Sequence, residues 1–296
     1  MSKQNIIQKC VHKIYNIIYR FWIRTLSFKN FLLFPFSKGV RQSSLSLEFY
    51  KKQFVAHGCF ESVCYPNNSL FLYLDLVNRY KIVECDVMFT KDNIPILCHD
   101  PNLKKVATDN NVPVDIEIRT LKLSEVRKYN FSIEKGNFVG VTTLEEVMSL
   151  CSSNNVCLEL DLEKKYLGRR KYQILYSLAK RYHMLDNIIW EVSPYDFFSL
   201  ASIDKNLIYQ FDNTWDIKIL ENFMSRKKYS ALIISSQWFP GIVDGDYSDV
   251  IGYGHKCGYI MKCATFNDEQ EVEKLLKMDV DLITTDKLEN SLINRI

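Results

Sequence analysis

Residues 83–87 read Val-Glu-Cys-Asp-Val, inside a longer apolar run from Ile82 to Phe89. In a β-strand, residues two apart face the same side, so Glu84 and Asp86 project together while the apolar residues between them face the other way. Two carboxylates on the inward face of such a strand would repel each other and be poorly solvated. A divalent cation relieves both problems, because hard cations take oxygen ligands. The stretch therefore predicts a buried strand with a metal site; the alternative is an edge strand with solvated acids.

Short apolar runs alternate with helical stretches on both sides of this strand. Strands are predicted at 54–56, 82–89, 94–98, 156–162, 188–192, 207–210, 232–235, 259–264 and 282–284, and helices at 68–79, 144–151, 169–182 and 269–278. This alternation implies parallel βαβ units. No Gly-rich nucleotide loop follows the first strand, which disfavours an open doubly wound sheet. We therefore predict an α/β fold in which residues 49–296, close to the ~250 residues of one TIM barrel, form a (β/α)8 barrel.

Residues 1–48 are predicted to form a separate basic amphipathic segment. Before Glu48 the chain carries eight Lys or Arg residues and no acid. Within 6–25, apolar side chains fall on one helical face and basic ones on another, which is the pattern of an amphipathic helix. Two interpretations stay open: a helix lying in an anionic membrane surface, or an additional helix packed on the barrel.

The bulk composition excludes several classes of protein. A net charge of +3 is too small to indicate a nucleic-acid partner, and the nine cysteines show neither zinc-site nor disulfide spacing. The sequence has no recognisable signal peptide and no window of the ~18 apolar residues that a membrane span needs. We therefore expect a cytoplasmic protein with free thiols, in peripheral contact with the inner membrane face if residues 6–25 bind anionic lipid.

Two histidines bracket the carboxylate strand. His57 and His99 each follow an apolar run directly, and the carboxyl ends of barrel strands are where TIM-barrel active sites form. Phosphodiester cleavage needs one group that activates the nucleophile and another that protonates the leaving oxygen, while a metal ion stabilises the charge of the transition state. The stretch 158–163, Leu-Glu-Leu-Asp-Leu-Glu, repeats the alternation of acids and leucines, so Glu159 is the candidate for a third metal ligand and Asp161 a candidate to assist it.

Residues 54–109 resemble the opening of the glycerophosphodiester phosphodiesterase family. That family shows His-Arg-Gly, Glu-Asn-Thr, Glu-x-Asp, Thr-Lys-Asp and His-Asp in this order. Here the corresponding residues are His57-Gly58-Cys59, Asn67-Asn68-Ser69, Glu84-Cys85-Asp86, Thr90-Lys91-Asp92 and His99-Asp100. Residues 141–146, 265–267 and 279–286 resemble later family motifs, and the order is kept throughout.

The resemblance implies a TIM barrel, one Ca²⁺ or Mg²⁺ ion, and hydrolysis of a glycerophosphodiester to an alcohol and glycerol phosphate. The chain departs from the family at four positions, namely Gly58 for an arginine, Asn67 for a glutamate, Asp161 for a lysine and Ala264 for a frequent tryptophan. The loss of the two cations predicts that the phosphate is held mainly by the metal and the histidines.

The site predicted from these observations has two histidines and three acids. His57 and His99 are the general acid and base, in an order that the sequence leaves open. Glu84, Asp86 and Glu159 are the metal ligands, and Asp161 and Asn68 are candidates to assist. Two alternatives remain. One is a membrane-associated phosphodiesterase acting on a phospholipid or a glycerol-phosphate-modified polymer, and the other is a non-catalytic barrel that binds phosphate.

Overall fold

The structure of the protein is a computed structural model. The structure describes residues 47–59, 65–108, 112, 116–131, 139–162, 167–192, 200–201, 203–204, 207–211, 231–236, 248–256 and 258–287. The predicted membrane-binding segment 6–25 lies outside these residues, and so does almost all of the predicted 1–48 segment. Both stay predictions, as does the cellular location. Every helix in the described part of the chain is too short or too polar to cross a lipid bilayer.

Eight parallel strands close into a barrel. They are β1 (Gln53–Ala56), β2 (Ile82–Phe89), β4 (Cys157–Asp161), β5 (Ile188–Glu191), β6 (Ile208–Phe211), β7 (Ala231–Ser236), β8 (Ile260–Cys263) and β9 (Leu282–Thr285). Each strand pairs with the next along the chain, and β1 pairs with both β2 and β9, so the ring has no open edge. The prediction of a TIM barrel is confirmed.

A ninth strand, β3 (Pro95–Leu97), lies outside the barrel ring. It pairs antiparallel with the upper end of β2, from Val87 to Phe89. The intervening turn is short and is closed by the Thr90 amide, which donates to the Ile94 carbonyl (3.1 Å), and by Asn93 at φ 61°. A parallel crossover needs a dozen or more residues, so strand 94–98 of the sequence prediction can only return along β2. It is therefore not one of the parallel βαβ strands implied by the alternation.

The described helices are α1 (Leu70–Leu76), α2 (Leu103–Val106), α3 (Leu123–Val126), α4 (Leu144–Asn154), α5 (Arg169–Arg181), α6 (Ser248–Lys256) and α7 (Glu269–Lys277). The four helices predicted from the sequence correspond to α1, α4, α5 and α7, and their ends lie within a few residues of the predicted ends. In α4 the Thr143 hydroxyl accepts from the Glu146 amide (3.3 Å), while the Glu146 carboxylate accepts from the Thr143 amide (2.7 Å). This reciprocal capping box explains why the helix begins there.

The barrel interior is layered, with an apolar floor. One side chain from each parallel strand contributes to this floor, namely Val55, Ile82, Cys157, Ile189, Ile208, Ile233, Ile260 and Leu282. Tyr50, which is 1% exposed, packs against the same residues from the 3₁₀ turn Leu47–Tyr50 and closes the bottom of the barrel. The floor confines polar chemistry to the upper part of the barrel.

Two residues further along the strands, the interior becomes polar. Since side chains alternate along a strand, the residues that follow the floor positions at i+2 face the same interior. They are His57, Glu84, Glu159, Glu191, Gln210, Lys262 and Thr284. Another two residues on come Asp86, Asp161 and Asp286, at the carboxyl ends of their strands. The strand periodicity thus places the ionisable side chains in the upper part of the barrel, between the apolar floor and the mouth.

Candidate active site

Adjacent strands bring the predicted carboxylates together. In the register of β2 and β4, Glu84 stands beside Glu159 and Asp86 beside Asp161. Carboxylate oxygens of Glu84, Asp86 and Asp161 all lie within 4.8 Å of one another. Glu84 and Asp86 are buried and Asp161 is half-buried. Glu159 is also buried, but it is not part of this compact group.

The electrostatics of the group fit a divalent cation. Burial raises the pKa of Glu84 well above its ordinary value, and the nearby Asp86, Asp161 and Glu159 raise it further. Glu84 Oε2 accepts a hydrogen bond from the Gly58 amide (2.6 Å), whereas its buried Oε1 has no hydrogen-bond partner within the described residues. A buried carboxylate oxygen without a partner is costly, and a cation bound between three carboxylates would satisfy it.

Asn68 holds Asp86 in place from the loop before α1. Its Nδ2 donates to Asp86 Oδ2 (2.6 Å), and its Oδ1 accepts from the hydroxyl of the fully buried Tyr73 (3.1 Å). The same hydroxyl lies 2.9 Å from the Glu84 carbonyl, so its single proton is shared between the two acceptors. Asn68 has a φ of 55°, a backbone conformation that asparagine tolerates better than most residues. The predicted assisting residue therefore contacts a predicted metal ligand directly.

The absence of a side chain at Gly58 leaves room for this packing. A Cβ at position 58 would lie 2.9 Å from Asn68 Oδ1, 3.0 Å from the Tyr73 hydroxyl and 3.2 Å from the Glu84 carbonyl. The arginine that the family carries at this position cannot be accommodated unless these groups move. The replacement of arginine by glycine is thus coupled to the contacts that hold Asp86.

His57 is held by a carboxylate on the neighbouring strand. Its Nδ1 lies 2.6 Å from Asp286 Oδ1, and its Nε2 lies 3.7 Å from Glu84 Oε2. Asn267 supports Asp286 twice, because its Nδ2 donates to Asp286 Oδ2 (2.7 Å) and its Oδ1 accepts from the Asp286 amide (2.8 Å). Burial alone would raise the pKa of Asp286, but hydrogen bonds from His57 and Asn267 outweigh it and lower the pKa. The ring of His57 is therefore oriented with Nε2 towards the carboxylates.

His99 reaches the same end of the barrel by a different route. The Cys98 amide donates to the Asp86 carbonyl (3.0 Å), so the backbone beside His99 is attached to the metal-ligand strand. The His99 side chain is exposed. Because β3 is antiparallel, His99 follows a strand that runs back down to the barrel mouth, rather than one that rises to it.

A buried polar network, not predicted from the sequence, lies beneath the carboxylate group. Lys262 forms an ion pair with Glu159, and the two side chains are 2% and 1% exposed. Gln210 Nε2 donates to Glu159 Oε1 (3.0 Å) and to Glu191 Oε2 (2.7 Å). The barrel interior therefore contains a lysine despite the acid at position 161.

Asp286, Asn267, Lys262 and Gln210 were not predicted as site residues, and the sequence indicates them to different degrees. Asp286 and Asn267 lie in the motifs that carry the family resemblance, but nothing local ties either of them to His57 across so many intervening residues. Lys262 and Gln210 are single polar residues inside short apolar strands. A buried charge is almost always paired, and this rule could have identified Lys262 as an interior residue.

The closed barrel, the carboxylate group and the histidine–carboxylate pair at its mouth define a TIM-barrel hydrolase with a candidate metal centre. The model of the glycerophosphoryl diester phosphodiesterase family matches residues 64–290. The chain belongs to this family, and it is accordingly a phosphoric diester hydrolase. A comparison with curated protein sequences finds no significant match.

Solved structures with the same fold include several phosphodiesterases. A phosphodiesterase from Oleispira antarctica, in complex with the product sn-glycerol-3-phosphate, is 21% identical, with a TM-score of 0.65 over 81% of this chain and 94% of that one. A glycerophosphodiester phosphodiesterase from Agrobacterium tumefaciens is 17% identical (TM-score 0.63; 82% and 99% covered). Another, from Thermotoga maritima, is 20% identical (TM-score 0.61; 82% and 96% covered). At these identities the likeness concerns the fold.

Proposed function

We propose that this chain hydrolyses a glycerophosphodiester to an alcohol and glycerol phosphate, with one divalent cation, Ca²⁺ or Mg²⁺, bound at the barrel mouth. The observation that carries the proposal is the juxtaposition of the Glu84, Asp86 and Asp161 carboxylates with the His57–Asp286 pair. The product class agrees with the glycerol phosphate bound by the phosphodiesterase from Oleispira antarctica.

Glu84 and Asp86 would hold the cation together with a carboxylate from β4. The partnerless Oε1 of Glu84 and the close approach of the three carboxylates support a cation at this position. When bound, the ion supplies positive charge that stabilises the phosphoryl oxygens in the transition state. Asn68 keeps Asp86 in one orientation through its 2.6 Å hydrogen bond, which preserves the geometry of the group.

The two histidines would divide the two proton transfers of the hydrolysis. One takes a proton from the attacking oxygen as it bonds to phosphorus, and the other gives a proton to the alcohol oxygen as its bond to phosphorus breaks. The attacking oxygen is that of water, which gives glycerol phosphate directly, or of the neighbouring glycerol hydroxyl, which gives a cyclic glycerol phosphate that water then opens to glycerol phosphate. The Asp286 carboxylate fixes the Nδ1 side of His57, so Nε2 is the atom that exchanges its proton, and Asp286 stabilises the charged ring.

Two positions that carry cations in the family pattern have none in this chain, because they are Gly58 and Asp161. Among the described residues, Lys262 is engaged with Glu159 beneath the mouth. The bound cation and the histidines therefore carry most of the phosphate contact in this proposal. Such a site favours a substrate whose glycerol and alcohol parts supply additional binding contacts.

The test is turnover of a panel of glycerophosphodiesters by cation-depleted protein to which Ca²⁺ or Mg²⁺ is added back. Glu84→Gln, His57→Asn and His99→Asn should each remove most of the cation-dependent release of glycerol phosphate. Matched controls are Glu273→Gln and His183→Asn, which make the same chemical changes at exposed positions outside the site. Both controls should retain the activity.

Two results would contradict the proposal. Undiminished activity in Glu84→Gln would show that the carboxylate group does not hold the cation, and turnover unaffected by removal of divalent ions would exclude the metal. If the wild-type protein binds the cation but turns over no phosphodiester of the panel, the non-catalytic phosphate-binding barrel becomes the better description.

A further inference from the structure

Lys262 occupies an unusual position for a lysine, in the interior of the barrel beneath the carboxylate group. Its Nζ is paired with Glu159 Oε1 and lies 3.3 Å from Gln210 Oε1. The same Glu159 oxygen also accepts from Gln210 Nε2 (3.0 Å). Two donors therefore converge on one oxygen of Glu159, and one of them carries a full positive charge.

This pairing bears on which β4 carboxylate binds the cation. Glu159 and Asp161 both face the interior and stand beside Glu84 and Asp86 respectively. Asp161 joins the compact group with Glu84 and Asp86, whereas Glu159 does not. A divalent ion bound to Glu159 would lie close to the Lys262 ammonium, and the two cations would repel each other across a buried, poorly screened distance.

We propose that Lys262 is a positioning residue that neutralises Glu159 and keeps it out of the cation-binding set, so that Asp161 supplies the third carboxylate. The inference rests on the proposed cation site and specifies its composition. With Lys262 in place, the divalent ion is bound by the three carboxylates of the compact group, and without Lys262 the Glu159 carboxylate becomes a fourth candidate ligand. Glu159 Oε2, which has no hydrogen-bond partner in the described part of the chain, is the atom that could then bind the ion.

The test is calorimetric titration of the cation-depleted, full-length protein with Ca²⁺, Mg²⁺ and Mn²⁺, which measures affinity independently of catalysis. Asp161→Asn should weaken binding at least about tenfold, since even residues outside the ligand set commonly change metal affinity by this much. The neutral pair Glu159→Gln/Lys262→Met removes both buried charges together and should leave the affinity close to that of the wild type.

A third variant tests the positioning role directly. In Asp161→Asn/Lys262→Met, Glu159 is no longer held by an ammonium group and should replace Asp161, recovering affinity lost in Asp161→Asn alone. Adding Glu159→Gln to that variant should abolish the recovery. Thermal unfolding without the cation identifies any variant that does not fold. If Asp161→Asn/Lys262→Met does not fold, because it leaves the charge of Glu159 buried and unpaired, the neutral pair still shows whether Glu159 belongs to the ligand set.

Each outcome has a distinct meaning. Unchanged affinity in Asp161→Asn, or a loss in the neutral pair as large as that in Asp161→Asn, would overturn the inference while leaving the cation site intact. Failure of the folded Asp161→Asn/Lys262→Met variant to recover affinity would overturn the role of Lys262. If the wild-type protein binds none of the three ions, the proposed cation site is wrong, and the inference about Lys262, which rests on it, is wrong as well.

Discussion

Replacing Asp286 by asparagine should slow catalysis without unfolding the protein. The carboxylate accepts from both His57 Nδ1 (2.6 Å) and Asn267 Nδ2 (2.7 Å). An amide has only one oxygen, so it cannot accept from both donors in the same orientation. Whichever donor keeps the oxygen, the other meets an NH₂ group. If that other is His57, its ring must change tautomer and place a proton on Nε2.

The expected magnitude follows from the hydrogen bond that is lost. A hydrogen bond to a charged group contributes about 1.5–3 kcal/mol, which corresponds to a roughly 10- to 100-fold change in rate if it is made to the reacting histidine. The side chains of His57 and Asp286 are 27% and 20% exposed. Solvent screening at this exposure favours the lower half of the range. We therefore expect kcat to fall by at least about tenfold, with KM little changed.

The assay is steady-state hydrolysis of the best glycerophosphodiester of the panel, with glycerol phosphate as the measured product. Asp268→Asn makes the same change nearby. Asp268 caps α7, where its side chain accepts from the Gln270 and Glu271 amides, and asparagine caps helices equally well. This control should retain the wild-type kcat. If Asp286→Asn is folded and its kcat stays within the error of the wild-type value, His57 does not depend on Asp286 for its orientation.

Three further predictions concern stability. Tyr50→Ala should lower the free energy of unfolding by about 3–5 kcal/mol, because it leaves a cavity beneath the barrel floor. Phe71→Ala, at a residue that is 52% exposed, should change it by no more than about 0.5 kcal/mol. Equal losses of stability in urea unfolding would show that Tyr50 does not stabilise the barrel floor. Gly58→Ala should destabilise by about 1–3 kcal/mol through overpacking against Asn68 and Tyr73, and wild-type stability in this variant would show that the loop yields easily. Burial and the acidic neighbours raise the pKa of Glu84 in the folded protein above its ordinary value of 4.5. The protonated carboxyl therefore contributes fully to stability below pH 4.5, and this contribution is lost as the pH rises through the raised pKa. The melting temperature of the cation-free protein should therefore fall as the pH rises from 4.5 towards neutrality, and a slope that Glu84→Gln does not flatten would contradict this origin.

The strands were predictable because each is a short apolar run bounded by polar residues. Strand β2 has the predicted bounds, Ile82–Phe89, and the other strands differ from prediction by only a few residues. Helix α6 was not predicted, since Gly252 and Gly254 interrupt its pattern and glycine disfavours helix. Packing accounts for Gly254, because an added Cβ there would overlap the Met261 sulfur of β8.

The candidate site was predictable to the extent that its residues share a local pattern. The alternation in 83–87 identified Glu84 and Asp86, and the stretch 158–163 identified Glu159 and Asp161 together. It did not indicate that Asp161 would lie in the compact group with Glu84 and Asp86, or that Glu159 would pair with Lys262, 103 residues further along the chain. A local pattern contains no information about which distant strand will lie across the barrel.

By itself, the sequence determined the alternating strands, the inward carboxylates of β2 and β4, and the histidines at the ends of apolar runs. These follow from side-chain periodicity, which is a property of neighbouring residues. Only the tertiary structure decided that Asp286 holds His57, that Asn68 and Tyr73 exclude a side chain at Gly58, and that Lys262 pairs with Glu159. Those contacts arise from closing the sheet into a ring, because closure and register bring together side chains that the chain itself keeps far apart.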